Sequence, residues 1–359
     1  MSHSQLPTTL HQLLVGATPG DAITDQALLL RQWLREWGVQ SDIFAEHIHP
    51  QLDGEIRPFI QYRPTNQPWV IYHHSIGSDL ADALLTRPQQ IILIYHNVTP
   101  PEFFDHIDPA WAARAARGQA QTATLRAHTA LALADSAYNA RELEKVGYEE
   151  TAVLPITLNT KAYDLPSNPE LVASLAQKRP LLLFVGRIAP NKRQEDLIKL
   201  LYYYRRIRPQ AHLLLLGDRW VVGYDKWLES LVADWGLADG VTLLGKVSQT
   251  DLVTCYREAD LYVSMSEHEG FGKPFIESMY HDLPILAYSA ASVPDTLAEA
   301  GVQFQQKDFE RLAELVDILV SDSALRQRLI VKQQQRLQQF LPQTAARIFQ
   351  EQLATLKER

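Results

Sequence analysis

The feature that most constrains the fold of this chain is a regular alternation of short apolar runs with longer stretches of helical periodicity. In the first half, the strand candidates are His11–Val15, Ser41–Ala45, Trp69–His73, Ile91–His96 and Leu131–Asp135. A second series follows, with strand candidates Leu181–Val185, His212–Leu216, Val241–Leu244, Leu261–Met265 and Pro284–Ala287. Such alternation is typical of βαβ units with parallel sheets. We therefore predict an α/β protein with two doubly wound, Rossmann-like domains that face each other across a cleft.

The proposed domain boundary lies in a segment rich in proline and asparagine. Residues 154–169 read LPITLNTKAYDLPSNP, a composition typical of linkers and domain edges. A chain of 359 residues is also longer than one ordinary core. We predict an N-terminal domain over 1–165 and a C-terminal domain over 166–342. The last helix, within 343–359, is expected to return to the first domain.

The composition excludes several classes of protein. Hydrophobic residues make up 46 % and charged residues 21 % of the chain, as in soluble globular proteins. A net charge of −8 argues against general nucleic-acid binding. Cys255 is the single cysteine, so no intramolecular disulfide can form. The first residues, MSHSQLPTTL, lack the composition of a secretory signal. We expect a cytoplasmic protein, with a peripheral contact at the inner face of the membrane left open and the oligomeric state unassigned.

One motif places two carboxylates beside a glycine-rich turn. Residues 269–277 read EGFGKPFIE and follow a predicted strand, with a helix expected to start near Pro274. Ligands of open α/β sheets bind at such strand-to-helix loops. Gly270 and Gly272 allow close approach of the backbone, and the helix start favours an anion. Taken alone, Glu269 and Glu277 would be interpreted as solvated surface acids, but the glycines, the proline and the strand-to-helix position around them argue against that.

A second motif places two cations on another strand-to-helix loop. Residues 186–192 read GRIAPNK and lie between a buried-type strand and the predicted helix Gln194–Tyr204. Arg187 and Lys192 are suited to a diphosphate, which arginine binds through a planar fork and lysine through a compact charge. In isolation, two exposed basic residues explain this pattern better, and the motif alone is a weak signal.

Together, the two motifs resemble family 4 of the retaining GT-B glycosyltransferases. The resemblance extends over much of the chain and keeps the family's order of segments. It rests on FVGRIAPNKRQEDLI, LLLLGD, VTLLGKVSQTDL, ADLYVSMSEHEGFGKPFIESM and LPILA, preceded by ADSAYNARELEKVG and VLPITLNTKAYDLP. The chain departs from the family in its reduced N-terminal glycine loop, GATPGDA, and in AASVPD at 290–295, where the family has a glycine pair.

The resemblance implies a role for each matching donor-side residue. Glu277 would bind the ribose hydroxyls of the nucleotide, and Glu269 would lie beside the transferred sugar. Arg187 and Lys192 would neutralise the leaving diphosphate, so neither a metal ion nor another cofactor is expected. The remaining expected donor contacts are Gly186, Lys246, Val247, Gly270, Phe271, Gly272 and Lys273.

On the N-terminal side, the resemblance points mainly to a histidine at a strand end. His96, in LIYHNVTP, would contact the sugar near the reacting carbon. His73 and His74 are weaker candidates at another strand end, and Gly20 and Asp21 are the counterparts of the acceptor or phosphate loop. His47 and His49 superficially suggest a metal site, but they lack acidic or cysteine partners at ligand spacing.

The implied activity is a metal-independent, retaining hexosyl transfer from a UDP- or GDP-sugar. The acceptor would be a hydroxyl of a glycan, of a lipid-linked molecule or of a small molecule, in a setting such as polysaccharide biosynthesis. The alternatives are a catalytically silent nucleotide-sugar-binding subunit and another GT-B enzyme such as a nucleotide-sugar epimerase. A nicotinamide dehydrogenase is disfavoured because no strand is followed by GxGxxG.

Overall fold

The predicted alternation of strands and helices is confirmed in the structure, a computed structural model that describes residues 6–64, 68–219, 221 and 223–356. The chain divides into two units. The first contains the described residues of Met1–Asp105, Pro109–Thr157 and Pro342–Arg359, and the second contains those of His106–Asp108 and Leu158–Leu341. The residues between 158 and 165, expected in the N-terminal domain, thus belong to the second unit. Residues 1–5 and 357–359, at the expected domain ends, lie outside the described residues.

The first unit is built on a seven-stranded parallel sheet of order β3-β2-β1-β4-β5-β6-β7. Since the chain moves outward from β1 to one edge and then returns to β4, the topological switch point lies between β1 and β4. The strands are β1 Gln12–Ala17, β2 Ile43–Ile48, β3 Arg57–Pro58, β4 Trp69–His74, β5 Gln90–Tyr95, β6 Thr129–Ala134 and β7 Thr151–Val153. The first four helices are α1 Ala22–Glu36, α2 Asp79–Leu85, α3 Pro109–Leu125 and α4 Ala137–Lys145.

The second unit is built on a six-stranded parallel sheet of order β10-β9-β8-β11-β12-β13. Its switch point lies between β8 and β11. The strands are β8 Leu181–Val185, β9 His212–Leu216, β10 Val241–Gly245, β11 Leu261–Ser264, β12 Ile285–Tyr288 and β13 Val302–Phe304. The helices are α5 Pro169–Leu175, α6 Gln194–Tyr204, α7 Tyr224–Asp234, α8 Gln249–Glu258, α9 Lys273–Tyr280, α10 Val293–Leu297, α11 Phe309–Ser321 and α12 Ser323–Leu337. The predicted class, two doubly wound α/β domains, is confirmed.

Side-chain caps explain where the helices begin earlier than expected. The helical spacing of apolar residues in the sequence begins only at Thr24, but helix α1 starts at Ala22 because Oδ2 of Asp21 accepts hydrogen bonds from the first-turn amides. The sequence predicts a short helix over Arg141–Lys145, but helix α4 starts at Ala137 because the hydroxyl of Ser136 caps it in the same way. The strands β3, β7 and β13 were not predicted, since runs of two or three residues carry no periodicity.

The last helix, α13 Pro342–Thr355, belongs to the first unit. Its inward face contributes Ala345, Phe349 and Leu353 to a hydrophobic cluster that also contains Leu30 of α1 and Ile92 of β5. Phe349 is completely buried, and burial of a side chain of this size contributes roughly 1.5–3 kcal/mol. The apolar spacing of α13 therefore has a structural purpose within the first unit.

Two histidines of the second unit should make its stability sensitive to acid. Burial, reinforced by the charge of Lys178, lowers the pKa of His212 to about 4 from the ordinary 6.5. Burial, reinforced by Arg257, lowers the pKa of His281 to about 4 as well. Between pH 6.5 and 4, the unfolded chain binds protons at these two histidines and the folded protein does not. The stability that they contribute is therefore full above pH 6.5 and is lost as the pH falls from 6.5 to 4.

We expect the melting temperature to fall over this pH interval and to fall less in His212→Gln. The variant removes one of the two histidines while other acid-sensitive groups stay the same, so the difference in slope reports His212 alone. Thermal unfolding followed by differential scanning fluorimetry is the measurement. Identical slopes for the two proteins would contradict the assignment.

Candidate active site

Both donor-side motifs lie at the switch point of the second sheet. The GRIAPNK loop follows β8, and the EGFG loop follows β11, its hydrogen-bonded neighbour, with Leu182 paired to Leu261. The carboxyl ends of parallel strands share one edge of the sheet, and a crevice opens where the strand order reverses. Two segments about 80 residues apart in sequence thus meet at the ligand-binding position of this fold class.

The two loops are joined by a salt bridge and by backbone contacts. Nζ of Lys192 lies 2.6 Å from Oε2 of Glu269, and their side chains are 17 % and 13 % exposed. The amide of Glu267 donates to the carbonyl of Asn191 at 2.9 Å, and Nδ2 of Asn191 donates to the carbonyl of His268 at 3.2 Å. The structure therefore brings together one cation and one carboxylate that the sequence assigned to the same site.

A second set of ion pairs connects helix α6 to the loop after β11. Nζ of Lys307 contacts Asp196 at 2.8 Å and Glu267 at 2.7 Å, and Arg193 also pairs with both acids. Burial alone would raise the pKa of Asp196, but the hydrogen bond and charge of Lys307 hold that pKa below its ordinary value. The carboxylate of Asp196 remains ionised and anchors α6 to the EGFG loop.

Glu277 is buried on α9 and is bound by two tyrosines. The hydroxyl of Tyr163 donates to Oε1, and that of Tyr256 donates to Oε2 at 2.6 Å. Nζ of Lys273 lies 3.7 Å from Oε1. Burial, and then the charge of Glu277, raises the pKa of Tyr256 well above its usual range, so its hydroxyl stays protonated. A carboxylate has about four acceptor positions, which leaves capacity for two further donors such as ribose hydroxyls.

Gly272 is required by the backbone at the start of α9. Its φ is +87°, and a Cβ built there would lie 2.5 Å from the ring of Phe275. Any other residue would strain the backbone and displace an aromatic side chain that is almost completely buried. The glycine predicted to allow close approach to a ligand is therefore also needed to form the turn.

We expect Gly272→Ala to lower the free energy of unfolding by about 1–3 kcal/mol more than Gly236→Ala does. Gly236 has a similar left-handed conformation, with φ +66°, but nothing lies within 4 Å of its added Cβ. The control thus measures the backbone strain alone, and the difference measures the contact with Phe275. Chemical denaturation of both variants tests this, and equal losses would contradict it.

A glycine not assigned by the sequence analysis fixes the neighbouring loop. Gly217 follows β9 with a φ of +149°, and an added Cβ would lie 1.8 Å from the carbonyl oxygen of Gly186. The amide of Gly186 in turn donates to the carbonyl of Leu216 at 2.9 Å. The close approach of these two loops sets the path of the backbone that leads to Arg187.

The other predicted donor contacts lie on the loops at the same edge of the sheet. Arg187 is exposed in the loop after β8, and its carbonyl accepts a hydrogen bond from Nε2 of Gln194 at 2.9 Å. Gly270 and the buried Phe271 lie in the EGFG loop, where the Phe271 carbonyl accepts from the hydroxyl of Thr296 at 2.6 Å. Lys246 and Val247 follow the edge strand β10.

In the first unit, the predicted acceptor loop occupies the corresponding switch point. Gly20 has a φ of +80° in the loop after β1, and Asp21 is the N-cap residue of α1. The cap gives Asp21 a structural role at this position. His73 and His74 end β4 on the other side of the switch point.

His73 and His96 belong to a continuous chain of buried hydrogen bonds. Nδ1 of His96 lies 2.8 Å from Oδ2 of Asp135, and its Nε2 lies 2.9 Å from Nδ1 of His73. Nε2 of His73 lies 2.9 Å from Oε1 of Gln12. Since both ring nitrogens of His96 have protein partners, binding a sugar through either one requires exchange of such a bond.

His74 is separate from this chain. Its Nε2 contacts the carbonyl of Gly118 at 3.0 Å and the hydroxyl of Thr122 at 2.9 Å. Successive residues of a strand point to opposite faces, which explains why neighbouring histidines have different partners. Burial lowers the pKa of His74 to about 4. These contacts make His74 a link between β4 and α3.

The histidines near residue 47 differ in exposure and in contacts. His47 is exposed, and Nδ1 of His49 accepts the amide of Gln51 at 3.3 Å. Throughout the described part of the chain, no group of three or more histidine, cysteine, aspartate or glutamate side chains could hold a metal ion. The structural role of His49 is that of a cap for a short 3₁₀ turn.

Sequence reasoning missed the residues that act through others. Tyr163 and Tyr256 contact Glu277, and Gln12 and Asp135 complete the histidine chain. Only Asp135 carried a usable signal, because it directly follows a strand at the same sheet edge as His96. The others lie in segments whose folded proximity no local pattern reveals.

The chain matches a known family over much of its second unit. Residues 171–336 match the family described as "Glycosyl transferases group 1". A GDP-mannose-dependent monoacylated alpha-(1-6)-phosphatidylinositol monomannoside mannosyltransferase of Corynebacterium glutamicum is 26 % identical over 187 residues, 48 % of each chain. A D-inositol 3-phosphate glycosyltransferase of Stackebrandtia nassauensis is 29 % identical over 42 % of this chain and 35 % of its own length. The match thus spans about half of these relatives or less.

The fold as a whole also has solved counterparts. The crystal structure of Anabaena HepE in complex with UDP and glucose aligns with a TM-score of 0.76 and 18 % identity, covering 97 % of this chain and all of that one. At this identity, the likeness shows the fold and leaves the substrates open. Residues 171–336 therefore match the glycosyl transferases group 1 family, and the chain has the GT-B fold that its motifs predicted.

Proposed function

We propose that this chain is a metal-independent, retaining hexosyltransferase that uses a nucleotide-diphosphate sugar. The observation that carries the proposal is the salt bridge between Lys192 and Glu269, at the switch point of the second sheet. It joins the cation expected to bind the diphosphate to the carboxylate expected to bind the sugar. Glu277, buried eight positions further along the chain with two tyrosine donors, supplies the expected ribose ligand.

The proposed chemistry assigns each group a charge-based role. As the bond between the anomeric carbon and the phosphate oxygen breaks, negative charge develops on the diphosphate, which Lys192, Arg187 and the start of α9 stabilise. An acceptor hydroxyl forms the new bond to the anomeric carbon on the same face. Its proton passes to a phosphate oxygen of the leaving group. Glu269 positions the sugar and does not act as a covalent nucleophile in this scheme.

Arg187 and Lys192 supply the charge that a divalent ion would otherwise provide. Two cations and a helix dipole near one edge of the sheet can balance a diphosphate without a metal. Metal independence therefore follows as part of the proposal. Transfer that persists unchanged in excess chelator supports it, and transfer restored only by added Mg²⁺ or Mn²⁺ contradicts it.

The donor base and the acceptor are left broad in the proposal. GDP-mannose appears in the name of the Corynebacterium relative, and UDP was bound in the HepE crystals, so uridine and guanosine donors both remain candidates. The acceptor side is assigned to the first unit, with a glycan, a lipid-linked molecule or a small molecule as acceptor. Over the residues that the structure covers, none of the helices is both long and apolar enough to cross a membrane.

A screen of nucleotide sugars tests the proposal against its alternatives. UDP-, GDP- and ADP-sugars are added in thermal-shift experiments, and the best binder is then assayed for hydrolysis and for transfer to simple acceptors. A transferase consumes the donor and releases the nucleoside diphosphate. Tight binding without turnover indicates a silent binding subunit, and an altered sugar still attached to the nucleotide indicates an epimerase.

A further inference from the structure

The buried chain Gln12–His73–His96–Asp135 contains three hydrogen-bonded links in series. It crosses the first sheet from β1 through the ends of β4 and β5 to the residue after β6. All four residues are buried, with exposures of 0 %, 1 %, 8 % and 3 %. Water is therefore excluded from competing for the links, and each must be satisfied by protons that the four side chains carry.

The orientation of the Gln12 side-chain amide is fixed by a contact outside these three hydrogen bonds. Nε2 of Gln12 donates to the carbonyl oxygen of Ala27 at 3.0 Å. Rotating the amide by 180° would place its oxygen against that carbonyl, so Oε1 must face His73. Because Oε1 can only accept, Nε2 of His73 must carry a proton.

The proton on Nε2 of His73 determines which protons the other two hydrogen bonds need. Three links require three protons, one between each pair of facing atoms. Two neutral imidazoles carry one ring proton each, and an ionised carboxylate and an amide oxygen carry none. The count is therefore one proton short unless either imidazole is doubly protonated or Asp135 is protonated.

The charge balance leads to the same conclusion. An ionised Asp135 beside two neutral imidazoles would bury a net negative charge, which is costly without a compensating cation. One additional proton makes the four hydrogen-bonded side chains neutral overall and supplies the proton of the third hydrogen bond. Oδ1 of Asp135 is buried with no hydrogen-bond partner among the described residues, which further disfavours a negative carboxylate without a compensating charge.

We propose that His73, His96 and Asp135 form a buried relay that holds one proton more than two neutral imidazoles and a carboxylate. His73 and Asp135 are positioning residues in this relay, and they fix the ring of His96 through both of its nitrogens. The relay has no vacant basic nitrogen. If the proposed function holds, it therefore cannot accept the proton of the acceptor hydroxyl, which must go to the leaving phosphate.

The surroundings agree with a single shared proton. Burial raises the pKa of Asp135, and burial together with the charge of His96 lowers the pKa of His73. The extra proton therefore lies between His96 and Asp135 rather than on His73. The neighbouring titratable ring, His74, is buried, and its pKa is lowered to about 4, so it adds no charge at neutral pH.

The protons of the relay can be counted directly by NMR on the full-length protein without any nucleotide. Selective ¹⁵N labelling of histidine reports the protonation of each ring nitrogen, and ¹³C labelling of aspartate reports the carboxyl of Asp135. The exposed ring of His47 supplies the reference for a solvated histidine. At pH 7.5 we expect three protons in total on His73, His96 and Asp135, with one on Nε2 of His73. A total of two would overturn the proposal.

The Asp135→Asn variant provides a second arm. Its amide nitrogen can donate to Nδ1 of His96, which fills the third link without a carboxylate or an extra proton. We expect both rings to be neutral in this variant, each protonated on Nε2. A doubly protonated ring in Asp135→Asn would contradict the pairing of proton and carboxylate. The proton counts stay informative even if the protein transfers no sugar, so failure of the proposed function is distinguishable.

Discussion

Replacing Lys192 by methionine should reduce kcat/KM for the nucleotide sugar by about two to three orders of magnitude. The Nζ of Lys192 lies 2.6 Å from Glu269, in a site where both side chains are mostly buried. In such a site, a cation stabilises developing phosphate charge far better than solvent does. The substitution keeps much of the side-chain volume and removes the ammonium group, with its salt bridge to Glu269 and its hydrogen bond to the carbonyl of His268. Steady-state release of nucleoside diphosphate measures the effect.

Lys199→Met is the matched control. Lys199 lies on the following helix, α6, and its Nζ pairs with Asp196 at 3.0 Å, but it takes no part in the contact with Glu269. It should keep kcat/KM within about twofold, because Asp196 retains its ion pairs with Lys307 and Arg193. The double variant Lys192→Met/Glu269→Gln separates catalysis from stability. It should recover thermal stability lost in Lys192→Met and remain inactive; recovered activity would show that Lys192 only neutralises Glu269.

Replacing Glu277 by glutamine should weaken binding of the nucleoside diphosphate by about tenfold to a hundredfold, the equivalent of losing hydrogen bonds to a charged group. The carboxylate of Glu277 is oriented by Tyr163 and Tyr256 and has acceptor capacity left for ribose. An amide in its place offers one acceptor oxygen and turns its nitrogen toward a tyrosine or a ribose hydroxyl. Isothermal titration with the preferred nucleotide measures the loss.

The ribose contact is isolated by comparing ribose with deoxyribose nucleotides. The wild-type protein should prefer the ribose form, and that preference should shrink in Glu277→Gln and partly in Tyr163→Phe. Tyr280→Phe is the control, since its hydroxyl donates to Asp164 at 3.2 Å and lies outside the Glu277 hydrogen bonds. An unchanged ribose preference in Glu277→Gln would place the ribose elsewhere in the second unit.

Much of the fold could be predicted because buried parallel strands are nearly pure apolar runs. Leu181–Val185 and His212–Leu216 have the bounds that their sequence predicted, and α6 begins and ends where expected. The observed starts of α1 and α4, at Ala22 and Ala137, lie before the starts predicted from periodicity, because each is fixed by a single capping side chain. Strand order could not be obtained from periodicity, since it depends on which strands meet in the folded sheet.

The donor side of the site was more predictable than its supporting residues. Motif spacing identified Lys192 and Glu269, and the topology explains their meeting, since each follows one of the two strands flanking the switch point. By contrast, Tyr163 reaches Glu277 across 114 positions of sequence, and Gln12 reaches His73 across 61. Such contacts depend on tertiary packing, for which the local sequence carries no periodic signal.

Retaining hexosyl transfer by this chain can be tested by following one nucleotide sugar and its product by ¹H NMR. With the donor and acceptor identified in the screen, we expect the α-linked donor to be consumed, the nucleoside diphosphate to be released, and the new glycosidic bond to be α as well. Lys192→Met should show almost no product over the same period, and Lys199→Met should match the wild-type protein. A β-linked product would rule out retention, and a donor left intact by a protein that binds it tightly would rule out transfer.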